Sequence, residues 1–92
     1  MFANVRKNLT YETCGMIRSL IAEMGAKFRE KSGNRKYQIW DYNGWEIIVP
    51  NFQTKVFTVF IEKAGKQKNF HQFNGSLPLK LEKLREHIES LH

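Results

Sequence analysis

The apolar positions of the chain fall into three periodicities. Ile17, Leu20, Ile21 and Met24 recur at helical spacing, and Cys14 extends their stripe. Thr10 can cap this helix and Glu12 suits its first turn, while Gly25 is a natural stop because it tolerates positive φ. The pattern predicts a helix over Tyr11–Met24, with Met1–Leu9 as an irregular lead-in. Gly15 works against it by ~1 kcal/mol relative to alanine. At the other end, Leu77, Leu81, Leu84, Ile88 and Leu91 repeat at spacings of four and three. Ser76 stands where a cap belongs and Pro78 near the first helical turn, so a second amphipathic helix is predicted there.

Between the helices the period changes to two. Ala26–Lys31 reads as a strand with Phe28 inward and Lys27, Arg29 and Lys31 on the opposite face. Ser32-Gly33-Asn34 turns into a second strand, Lys36–Tyr42. Asn43-Gly44 is a strong hairpin signal, since both central residues of a type I′ turn take positive φ. Trp45–Val49 is the return strand, ended by Pro50, and Tyr42 pairs with Trp45 across it. Asn51–Thr54 is another turn. Lys55–Glu62 is a fourth strand, apolar on both faces and therefore central or doubly covered. Ala64–Asn69 reads as a basic flexible loop, and Phe70–Phe73 as a brief strand or a packed loop.

The expected fold is α+β, in the order α-β-β-β-β-α. A three- to four-stranded antiparallel meander carries the N-terminal and C-terminal helices on one face and leaves the other open. Ninety-two residues suit a single domain spanning 1–92. The hydrophobic fraction of 41% and charged fraction of 26% are those of a globular chain rather than a disordered one.

Charge narrows the function classes. Fifteen Lys and Arg against nine Asp and Glu give a net charge of +6, which favours anionic partners. Nucleic acid, RNA slightly ahead of DNA, is the expected one, because each neutralised phosphate releases counterions. Lys27, Arg29, Lys31, Arg35 and Lys36 cluster around the first hairpin, and Lys63, Lys66 and Lys68 in the later loop. These residues, with Trp40 as a stacking ring and His71 beside the second group, form the expected nucleic-acid-binding set. It makes one groove only if the fold brings the two groups together. The other reading of Trp40 is a core ring, and of the lysines a solvated surface.

Catalytic and metal chemistry find little support. His71, His87 and His92 lack metal-ligand spacing, and Cys14 is a lone cysteine. No cofactor and no metal site is expected. His87 flanks the apolar stripe of the last helix and reads as structural. His71 can be written as a general base. Glu82, Glu86 and Glu89 read as solubilising charges, and no phosphate loop follows Gly33 or Gly44. The lone cysteine, the absence of an apolar stretch in Met1–Lys7 and the lack of any apolar run near the ~18 residues of a membrane helix suit a cytoplasmic protein without membrane contact.

The run Leu20-Ile21-Ala22-Glu23-Met24-Gly25, then Arg29, Gly33-Asn34-Arg35, Tyr37 and Val49-Pro50, resembles the HicA-type mRNA interferase toxins, whose fold is like the double-stranded-RNA-binding domain. The likeness covers about a third of the chain. It implies an α-β-β-β-α topology and RNA as partner. The family's catalytic histidine falls at Arg35, and an arginine cannot serve as general base. The likeness therefore implies a non-cleaving relative. Lys55–Glu62 and the loop after it also depart from the family. Three functions stand: a non-catalytic nucleic-acid-binding module; a protein-interaction regulator or phage-type inhibitor docking through the open sheet face; and a ribonuclease of HicA-like fold using His71. A monomer or a homodimer through an open sheet edge is expected.

Overall fold

The structure, a computed structural model, describes residues 2–33, 36–50, 57–72 and 75–91, the side chains of 2–12 and of Gln72 aside. Its elements are α1 (Phe2–Glu23), β1 (Lys27–Ser32), β2 (Tyr37–Tyr42), β3 (Trp45–Pro50), β4 (Phe57–Lys63), β5 (Lys66–Gln67), β6 (Phe70–Gln72) and α2 (Leu77–Glu89). The fold is α+β, helix first and last, around an antiparallel sheet.

Helix α1 begins at Phe2, so the irregular lead-in expected over Met1–Leu9 is helical from its second residue. Thr10 is a good cap, but a cap is used only where the chain stops being helical. Nothing from Ala3 to Leu9 is a proline or glycine that would stop it. Helix α2 starts as its sequence predicts. The Ser76 hydroxyl accepts the Leu79 N–H at 3.4 Å, and Pro78 occupies the first turn.

The strands run β1-β2-β3-β4 in sequence order, and β5 and β6 both pair with the far side of β4. The pairs Lys63↔Lys66, Glu62↔Gln67, Val59↔Phe70, Thr58↔His71 and Phe57↔Gln72 share one register. β5 and β6 are thus two halves of one edge strand, broken at Lys68-Asn69. The loop expected over Ala64–Asn69 is instead a tight Ala64-Gly65 turn, with φ of 49° and 83°, followed by this strand. At the break the Lys68 N–H still donates to the Ile61 carbonyl at 2.8 Å. The Lys68 carbonyl accepts from His87 Nε2 of α2 at 2.6 Å instead of from Ile61. The Asn69 side-chain oxygen accepts the Ile61 N–H in its stead, at 2.9 Å. The expected turn over Asn51–Thr54, and Lys55, Phe73 and Asn74, lie outside the described residues.

One face of the sheet carries the core. Trp45, Ile47, Val49, Val59, Ile61 and Phe70 are buried against Ile17, Leu20 and Ile21 of α1 and Leu84, Ile88 and Leu91 around α2. Seven buried Leu, Ile and Val residues in this cluster are under 2% exposed, each contributing about 1.5–3 kcal/mol of burial. The Cys14 thiol donates to the Pro50 carbonyl at 3.1 Å and ties α1 to the end of β3. Arg85 of α2 reaches Glu23 of α1 at 3.7 Å. The strand β4 is central, as its two apolar sets predict, but among the described residues helices cover just one of its faces.

β1 departs most from expectation. Lys27 pairs with Asp41 and Phe28 with Trp40, but Glu30 pairs with Ile39, so Arg29 is an extra residue in a β-bulge. A one-residue shift reverses which face each later side chain meets. Lys31 therefore lies opposite Gln38 on the helix side, while Lys27 and Arg29 lie on the other side. All six β1 residues are exposed, Phe28 to 48%. The inward Phe28 and the common face of Lys27, Arg29 and Lys31 read from the alternation are corrected accordingly.

Candidate nucleic-acid interface

The two basic groups are held apart by the sheet. β1 is one edge and β5–β6 the other, four strand positions away, or about 19 Å at 4.8 Å per strand. Lys31 and Lys36 flank the β1–β2 turn, whereas Lys63 and Lys66 flank the β4–β5 turn at the opposite end of the strands. Among the described residues the two whole groups are therefore not brought together, which was the condition for one groove. Arg35 lies outside the described residues.

Arg29 is engaged. Its Nη2 donates to Glu46 Oε1 at 2.6 Å and lies 3.3 Å from Asp41 Oδ1. The hydrogen bond to Glu46, helped by the nearby carboxylates, raises its already high pKa, so it stays charged but matched. Lys27 pairs with Asp41 in register at the start of β1, on the same face. His71 also sits on this face, with Nδ1 3.2 Å from the Thr58 hydroxyl. Lys68 is exposed on the far edge, with its carbonyl bound to His87. The ring of His87 packs against Phe70 at 5.5 Å, which makes it the structural residue its position predicts. Among the described residues, no group of three or more His, Cys, Asp and Glu side chains is placed to hold a metal ion.

A second arrangement joins part of both groups. Among the described residues the helices pack mainly on β3 and β6, which leaves β1 and β2 as a ledge on the helix side of the sheet. Its floor is Trp40, half-buried against the core, with Phe28 edge-on at 5.6 Å and 70°. The Trp40 indole N–H donates to the Gln38 side-chain oxygen at 3.2 Å, which fixes the ring. Tyr42 continues the floor opposite Trp45. Cations stand at both ends. Lys31 lies beside Gln38 and Lys36 in the adjoining turn, and among the described residues neither makes an ion pair. At the other end Lys63 Nζ sits 5.5 Å over the Trp45 ring. From Gln38 to Tyr42 the ledge runs about 13 Å at 3.3 Å per residue.

The ledge thus keeps Lys31, Lys36, Trp40 and Lys63 of the expected set and drops Lys27, Arg29, Lys66, Lys68 and His71. It adds Phe28, which sequence reasoning assigned to the core. A lone aromatic among charged residues, Lys27-Phe28-Arg29-Glu30-Lys31, was the available signal that no apolar face covers it. No family, no curated protein and no solved structure matches the chain.

Proposed function

We propose that the chain is a small, non-catalytic nucleic-acid-binding module that takes single-stranded RNA, or DNA less favourably, on the Phe28–Trp40 ledge. The observation that carries this reading is Phe28: a phenylalanine 48% exposed, braced edge-on by Trp40 and flanked by Lys31. Single-strand binders combine aromatic rings, which stack any base, with cations that track the backbone. Phe28 offers the stacking surface, Lys31, Lys36 and Lys63 the phosphate contacts, and Gln38 with Trp40 the rigid floor. A duplex hides its base faces, so this surface prefers unpaired strands. The HicA-type resemblance is what puts RNA ahead of DNA, and Arg35 in the position of the family's histidine is what sets cleavage aside.

The test is binding of fluorescently labelled single-stranded RNA, single-stranded DNA and duplex oligonucleotides across a salt series. Expected are single strand over duplex, affinity falling steeply with salt, and a loss of about 5- to 150-fold in Phe28→Ala, corresponding to ~1–3 kcal/mol of stacking. Absence of binding at low salt, or a Phe28→Ala variant that binds like the wild type, overturns the reading.

A further inference from the structure

The uncovered face of the sheet has the opposite character from the ledge. Register puts Ile39, Ile48 and Phe60 side by side across β2, β3 and β4. This row is about 10 Å from outer strand to outer strand. The three side chains are half-buried, and among the described residues no helix packs on them. Two residues along each strand, about 7 Å away, runs a second row: Asp41, Glu46 and Glu62. Glu30 adds a fourth carboxylate opposite Ile39. Against them stand Lys27 and Arg29, and Arg29 is already shared between Asp41 and Glu46. A chain with fifteen cations and nine carboxylates thus gathers four carboxylates on a sheet face that, among the described residues, no helix covers.

Glu62 sharpens the picture. It lies directly across from Glu46, an arrangement in which like charges destabilise a sheet. Among the described residues it makes no ion pair. The acidic row is therefore under-neutralised beside an apolar row, and a polyanion is repelled from both.

We infer that this face docks a protein segment of cationic amphipathic character, with an apolar stripe that covers Ile39, Ile48 and Phe60. An adjoining line of Lys or Arg meets Glu62, Glu46 and Asp41. Charge complementarity chooses the occupant: an acidic or neutral apolar segment leaves the Glu46–Glu62 repulsion in place, whereas a basic one relieves it. The inference stands on different residues from the ledge and survives or falls separately from it. If both hold, the sheet presents nucleic acid and protein with opposite sides.

The experiment is an amide-resolved NMR titration of the whole chain with a twelve-residue Leu/Lys amphipathic peptide, and with the same peptide carrying Glu for Lys. Expected are shifts centred on Ile39, Ile48, Phe60 and Glu62 with the Lys peptide and none with the Glu peptide. Glu62→Lys weakens the Lys peptide at least tenfold and leaves the Phe28 signals unmoved. Phe60→Ser, checked for an unchanged fold by circular dichroism, weakens it as well. Equal response to both peptides, shifts confined to the helices or the ledge, or wild-type binding by a folded Glu62→Lys chain overturns the inference. So does an oligonucleotide that shifts the same four residues, or concentration-dependent shifts there without peptide, which reveal a second copy as the occupant.

Discussion

The side-chain oxygen of Asn69 accepts the backbone N–H of Ile61 at 2.9 Å and so stands in for a carbonyl of its own strand. The carbonyl it replaces, that of Lys68, is held by His87 at 2.6 Å. One break in the edge strand thereby fastens α2 to the sheet without leaving the central strand unsatisfied. Truncation to Asn69→Ala strands the Ile61 N–H in a partly buried place, where an unmet donor costs about 1–3 kcal/mol. Asn69→Asp keeps an acceptor there and loses less. Urea denaturation of the two variants beside the wild type measures the difference, and equal midpoints contradict it.

Ala64 takes φ of 49° at the first position of its turn, a conformation that costs a residue with a Cβ roughly 1–2 kcal/mol. Asn43 takes the same φ in the equivalent place of the β2–β3 turn, with a side chain suited to it. Replacing Ala64 with Asn or Gly is expected to stabilise the chain by about 0.5–1 kcal/mol, a rise of several degrees in Tm for a domain of this size. Calorimetry decides it. A lowered Tm excludes the turn described above.

Cations on the two faces separate in their effect on oligonucleotide binding. Arg29→Ala removes a guanidinium that Glu46 and Asp41 already occupy, away from the ledge. Lys31→Ala removes a cation beside Phe28. The expected outcome is unchanged affinity for Arg29→Ala, and for Lys31→Ala a weaker complex whose salt slope falls by about one. His71→Ala, on the far face, is expected to match the wild type in binding. Filter binding at several salt concentrations resolves all three.

Burial raises the pKa of the Cys14 thiol, although Arg18 pulls the other way. The thiol donates to Pro50 in its protonated form. A raised folded-state value means that the contribution to stability is complete below the ordinary thiol range, near 8.5, and is lost as pH rises through the raised value. The folded protein is expected to react slowly with a thiol reagent at pH 8, to react fast in denaturant, and to lose stability above about pH 8.5. Rapid labelling of the folded chain at pH 8 contradicts the burial.

The sequence is legible where local chemistry and packing agree. Leu84, Ile88 and Leu91 are buried as their spacing predicts, Ser76 caps α2, and Asn43-Gly44 turns the β2–β3 hairpin. It is less legible where one residue decides between two outcomes that local pattern ranks equally. Nothing in Lys27-Phe28-Arg29-Glu30-Lys31-Ser32 marks Arg29 as a bulge, so the sides of Lys31 and Arg29 were not separable by alternation. Ala64-Gly65 lacks the usual first residue of its turn, and the strand behind it reads as loop. The pairing of Glu46 with Glu62 needs the register of β3 on β4, which depends on long-range packing rather than on either segment alone.

The bulge at Arg29 makes the partition of charge depend on strand register as well as composition. Pairing the same residues without the bulge would set Lys31 opposite Tyr37 and swing it across to join the carboxylates. A chain paired that way would keep every cation and yet lose the polarity between its two sides. The register of β1 on β2, rather than the tally of charges, therefore decides which side of the sheet is basic.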